Sequence, residues 1–104
     1  MSVKSKEQVV VKIKPRDDID PPKMFKVIYL NDEVTTMEFV IQTLMEIFDY
    51  SFDDAASATK RIHEDGSAVV AVLPFELAED KGVLVTIQAR NNGFPLQVKI
   101  EPED

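Results

Sequence analysis

The sequence predicts an α+β fold, a three-stranded sheet packed with three helices in the order β-α-α-β-α-β. Three observations support this. Apolar, β-rich runs occur at FKVIYL (Phe25 to Leu30), AVVAVL (Ala68 to Leu73) and LQVKI (Leu96 to Ile100). The segments between them carry apolar residues three and four apart, the helical period. Residues that start or stop helices bound those segments: Thr35, Ser51, Gly66, Pro74 and Gly93.

Residues 1–22 mix both charges with Pro15, Pro21 and Pro22 and lack sustained periodicity, so they are expected to form a disordered, flexible extension. Within them VVVKI (Val9 to Ile13) has the composition of a transient strand. The core domain, residues 23–104, opens on the Phe25 strand. Its first helix has the spacing of a capping box, Thr35 with Glu38, and an apolar stripe of Met37, Val40, Ile41, Leu44, Met45 and Phe48 that runs out near Asp49. Ser51 is the expected cap of the second helix, with Asp53 and Asp54 in its first turn, where the helix dipole favours anions. Gly66 suits its left-handed stop. The Ala68 strand is apolar at every position, which predicts a central place in the sheet. Pro74 suits the first turn of the third helix. Leu77, Leu84 and Ile87, with Ala78, Val85 and Ala89, give that helix a wide apolar face, and Gly93 closes it.

Composition narrows the function. The chain has 104 residues, 12 basic and 19 acidic, a net charge of −7. The extension is nearly balanced, so the acidic excess lies in the core domain. Such a body repels phosphate backbones, which argues against nucleic acid. With no cysteine there is no disulfide, thiol nucleophile or zinc finger. No apolar run approaches the ~20 residues of a membrane span, and VVVKI is too short for a signal-peptide core, so the protein is expected in the cytoplasm. The single histidine, His63, has no nucleophile in a hydrolase context and no metal-ligand spacing beside it. No catalytic residue, metal or cofactor is implied, and a monomer is the default.

Binding remains, and the stretch LNDEVTTMEFV (Leu30 to Val40) is its best candidate. Asn31, Asp32 and Glu33 present carbonyl and carboxylate oxygens between a strand and a helix. Such oxygens either shape a turn and cap the helix or receive a cation. The same alternatives apply to His63, which caps a helix end or accepts a proton donor, and to Met37 and Val40, which pack in the core or line a pocket.

FKVIYLNDEVTTMEFV resembles the signature of the ClpS family, adaptors that carry N-degron substrates to a Clp AAA+ unfoldase. That signature reads as a strand followed by N-D-D-x-T-P-M-E-F-V, matched here by Asn31, Asp32, Thr35, Met37, Glu38, Phe39 and Val40. IHEDG, LPFELAEDK and ARNNGFPLQ resemble further family motifs, and the likeness spans about residues 23–101. The resemblance implies a non-enzymatic adaptor for proteins that begin with Leu, Phe, Tyr or Trp. By that likeness Asn31, Asp32 and His63 bind the α-amino group. Met37, Val40, Ile62 and Leu96 line the side-chain pocket, with Met37 as its gate, and Thr59 stands where the family carries a large apolar wall residue. Glu33 and Thr35 contact the peptide backbone. Glu76 and Lys81 dock the N-terminal domain of a ClpA- or ClpC-type unfoldase, which also engages the N-terminal extension. Glu33 for aspartate, Thr36 for proline and Phe94 for histidine or tyrosine depart from the family pattern. A rival likeness is to the C-terminal domain of the ribosomal stalk protein, an interaction module that captures no amine.

Overall fold

The computed structural model describes residues 20–104, so the expectations for the extension, VVVKI included, lie largely outside the described residues. The elements are β1 (Met24–Leu30), α1 (Met37–Phe48), α2 (Phe52–Asp65), β2 (Ser67–Pro74), α3 (Phe75–Asn91) and β3 (Gln97–Pro102), the order read from the sequence. The sheet runs β2-β1-β3 and is antiparallel throughout.

The central strand is therefore β1, and the Ala68 strand lies at an edge. Continuous apolarity marks a central strand where both sheet faces are covered, as in parallel sheets. In this antiparallel sheet Val27 and Tyr29 of β1 are fully buried, while the alternating residues Lys26 and Ile28 are only half-buried. On β2, Val69 and Val72 stay 42% and 37% exposed despite their apolar character. The β1–β2 register shifts between Val27 and Ile28, which pair with Ala71 and Val69. The skipped residue, Val70, is buried, and its carbonyl accepts a 2.6 Å bond from the Tyr50 hydroxyl. The bulge thus supplies an acceptor to a half-buried phenol at the α1–α2 junction.

The helix ends follow local chemistry, with one shift. Ser51 caps α2 by accepting from the Asp54 N–H, and Gly66 ends it at φ 88°. Asp49 ends α1 in the left-handed region at φ 61°. At the start of α1, however, the cap is Thr36, whose hydroxyl accepts from the Phe39 N–H at 3.2 Å. The expected Thr35–Glu38 box does not form: the helix begins at Met37, one residue too late for it, and the Thr35 N–H that Glu38 would accept from donates to Asp32.

Helix α3 packs differently from expectation. It buries Ala78, Gly82, Val85 and Ala89, while Leu77, Leu84 and Ile87 remain 43–51% exposed. Small residues bring its backbone close to β3. A methyl group at Gly82 would lie 3.4 Å from Ile100 Cδ1 and 3.6 Å from Val98 Cγ1. The core between helices and sheet holds Tyr29, Leu44, Ile62, Val85 and Leu96. Within it the Thr43 hydroxyl donates to the Val40 carbonyl at 2.8 Å, so the 2.8 Å bond to Tyr29 Oη is donated by the tyrosine.

Candidate functional site

The site begins where β1 stops. Leu30 is the last paired residue, opposite Ser67 and Gln97. The Asn31 N–H then donates to the Gly66 carbonyl at 2.9 Å, which ties the exit of β1 to the end of α2. His63 lies on the last turn of that helix. This link brings Asn31 to the same cavity as His63, 32 positions along the chain, with both side chains exposed.

Asp32 builds the next corner. Its Oδ1 accepts from the Val34 N–H at 2.8 Å and the Thr35 N–H at 2.6 Å, and its Oδ2 accepts from the Thr35 hydroxyl at 2.8 Å. This aspartate turn delivers the chain to Thr36 and α1. Partial burial pushes the Asp32 carboxyl upward, but the Thr35 and Val34 hydrogen bonds and the nearby Arg90 guanidinium outweigh it, so its pKa is lowered. The group is an anion throughout the neutral range. Arg90 is itself held at the end of α3, with Nη1 donating to the carbonyls of Phe94 at 3.0 Å and Leu96 at 2.8 Å.

These elements enclose a cavity of about 390 Å³. Asn31, Asp32, Glu33, Thr35 and His63 give it a polar side, and Met37, Val40, Thr59 and Ile62 an apolar one. Val40, Thr59 and Ile62 are buried and form the floor, while Met37, at 48% exposure, stands on the rim. Thr59 turns its hydroxyl to the Ala55 carbonyl of its own helix at 2.8 Å. The arrangement joins hydrogen-bond acceptors and one fixed negative charge to an apolar hole, which suits a cation with an attached hydrophobic group.

Nine of the residues singled out in the sequence come together here, and three do not. Leu96 is 1% exposed and belongs to the core, and it is absent from the cavity wall. It precedes β3 and is drawn inward with the sheet. Glu76 and Lys81 lie on α3, away from the cavity. Glu76 is exposed, whereas Lys81 Nζ donates to the Ile47 carbonyl at 2.7 Å and stands 5.7 Å from the centre of the Phe48 ring, linking α3 to the end of α1. Arg90 was not singled out, although an arginine in the last turn of a helix signals bonding to terminal carbonyls. A second concavity of about 230 Å³ lies between α3 and β3, lined by Gly82, Val83, Thr86, Ile87, Val98 and Ile100 with Glu79 as its one charged residue. It lacks convergent polar groups, so the Asp32 cavity is the stronger candidate. Among the described residues no cluster of His, Asp and Glu has the makings of a metal site, and no helix is long and apolar enough to cross a membrane.

Residues 20–99 match the family model described as ATP-dependent Clp protease adaptor protein ClpS. The chain is 41% identical over 83 residues to the ATP-dependent Clp protease adapter protein ClpS of Helicobacter hepaticus, covering 80% of this chain and 84% of that one. It is 44% identical over 85 residues to the Campylobacter jejuni protein of the same name, covering 82% and 88%. With the Acetivibrio thermocellus protein it shares 39% over 97 residues, covering 93% and 98%. Among solved structures it resembles Agrobacterium tumefaciens ClpS2 bound to L-phenylalaninamide, with a TM-score of 0.77 and 40% identity over 80% of this chain and 100% of that one. These matches, together with the motifs at Asn31–Val40 and His63, place the chain in the ClpS family of ATP-dependent Clp protease adaptors.

Proposed function

We propose that the protein is an adaptor that binds substrates through a bulky N-terminal residue, Leu, Phe, Tyr or Trp, and delivers them to a Clp AAA+ unfoldase of the ClpA or ClpC type. The observation that supports this most is the Asp32 cavity, where oxygen acceptors stand beside an apolar hole. A protein N-terminus presents an α-ammonium with three donors and, on the same Cα, a side chain. Asn31, Asp32 and His63 receive the donors, in part through water: the amide oxygen, the carboxylate, and a ring nitrogen of the imidazole in its neutral form. Bonds to the charged groups are the strong ones. L-phenylalaninamide, the ligand of the Agrobacterium relative, offers the same pairing of a free amine and an aromatic side chain.

Size supports the side-chain preference. An apolar cavity of about 150 Å³ holds a benzene ring, and this cavity spans about 390 Å³ across its polar and apolar sides together, so a large side chain on the apolar side is compatible with its size. Selectivity against Val and Ile comes from shape. Their extra methyl sits on Cβ, next to the clamped backbone, where Met37 guards the rim. Exclusion of this kind is negative selection, stronger than the gain from an added methylene. Glu33 and Thr35 flank the route of the following peptide backbone. Glu76 and Lys81 mark the face assigned to the unfoldase, and the extension of residues 1–22 is its handle. The family is one of adaptors and not of proteases, and the stalk-like alternative finds no support in the family match.

The test is fluorescence anisotropy with a Leu- or Phe-initiated peptide labelled near its C-terminus, against its N-acetylated twin. Acetylation removes the charge and two donors, so affinity should fall at least about tenfold. Equal binding of the two peptides would end the amine-capture reading.

A further inference from the structure

We propose that Thr35 is a positioning residue for the amine site: it locks the Asp32 carboxylate in the orientation that receives an ammonium group. This rests on the amine-binding reading of the cavity. An ionised carboxylate has about four lone-pair positions. Three are filled by its own loop, two on Oδ1 by the Val34 and Thr35 N–H groups and one on Oδ2 by the Thr35 hydroxyl. Thr35 supplies two of those three bonds. Rotating the carboxylate away would break all of them, so the position left on Oδ2 keeps a constant direction in a residue that lines the cavity.

The hydroxyl has one proton, and it goes to Asp32, because an ionised carboxylate only accepts. Thr35 therefore has no hydroxyl proton to donate to a peptide and faces it, at most, as an acceptor. The neighbouring Thr36 completes the division of labour. It caps α1, a task the sequence spacing assigned to Thr35, and so leaves Thr35 free to hold Asp32. The charged and titratable groups around Asp32 are Glu33 on the same loop, His63 from α2 and Arg90 from α3. Arg90 is anchored to the Phe94 and Leu96 carbonyls, so its charge stays in place when Thr35 is changed.

The experiment compares wild type, Thr35→Ser, which keeps the hydroxyl, and Thr35→Val, which removes it at nearly equal volume. Thr35→Ala serves in place of Thr35→Val if the valine does not fold. The first readout is the Asp32 carboxyl titration followed by NMR in the peptide-free protein. Its midpoint should rise in Thr35→Val and stay near wild type in Thr35→Ser, since a bond to the charged form has been lost in the first alone. The second is anisotropy with the Leu-initiated peptide at neutral pH, where Thr35→Val should bind about tenfold more weakly and Thr35→Ser within about threefold of wild type. An unmoved Asp32 midpoint in Thr35→Val overturns the inference. This holds even if peptide affinity falls, since Thr35 would then act by touching the peptide. Failure of the underlying amine reading shows elsewhere: wild type itself would bind the acetylated and free peptides alike.

Discussion

Replacing Asp32 with asparagine separates the charge of the amine site from its geometry. The substitution keeps the size and shape of the side chain. Its carbonyl oxygen can still accept from the Val34 and Thr35 N–H groups, now 2.8 and 2.6 Å away. Its amide nitrogen replaces Oδ2 and can donate to the Thr35 hydroxyl oxygen, reversing the 2.8 Å bond. The turn is thus preserved and the negative charge is gone. A hydrogen bond to a charged group contributes about 1.5–3 kcal/mol, against about 0.5–1.5 for a neutral one. Asp32 is half-buried, so water screens part of the difference, and a loss of about 1–1.5 kcal/mol is expected, roughly tenfold in affinity. The assay is an anisotropy titration with Leu- and Phe-initiated peptides, run beside thermal unfolding. The melting temperature should fall by less than about 4–8 °C, the shift that ~1 kcal/mol produces in a domain of this size. Acetylated peptide should bind wild type and D32N equally. Affinity for the free amine within twofold of wild type, at unchanged stability, would show that the carboxylate serves the turn alone.

Met37→Ala should admit peptides that begin with Val or Ile while keeping those that begin with Leu, because the rim loses its bulk and the floor is intact; unchanged selectivity in a peptide panel places the gate elsewhere. Thr43→Val should cost more stability in denaturant unfolding, about 1–3 kcal/mol, than Tyr29→Phe, about 0.5–1.5, because only the first strands a buried donor; the reverse order refutes the donor assignment. Burial, the largest cause, raises the Tyr29 hydroxyl well above its ordinary value. Its stabilisation is therefore complete below about pH 10 and declines as pH rises further, a slope that Tyr29→Phe should reduce in pH-dependent melting. Asp32 behaves in the opposite sense. Its lowered pKa contributes stability above the unfolded value of about 3.9 that is lost as pH falls through the folded one, and D32N should flatten that acid limb.

Much of the local structure was legible in the sequence. Ser51 and Gly66 cap α2 as their chemistry dictates, and the Asn31–Val40 stretch carries its turn, helix start and cavity residues within ten positions. The Thr35–Thr36 pair shows the limit even at short range. Both threonines are good caps by sequence, and the structure gives the cap to Thr36 while Thr35 binds Asp32. Leu96 and Leu77 show the same limit for burial. Periodicity marks a residue as apolar but does not say whether it fills the core, lines a cavity or stays at the surface.

By itself the sequence determined the order of the elements, most of their ends, and the family, because caps, turns and motifs depend on neighbours a few residues apart. Tertiary structure alone decided that β1 is central, that α3 buries its small residues, and that Asn31, tied to the end of α2 by its bond to Gly66, lines one cavity with His63. Those outcomes depend on which surfaces compete to leave water and which backbone groups find partners across the fold. No spacing along the chain records that competition.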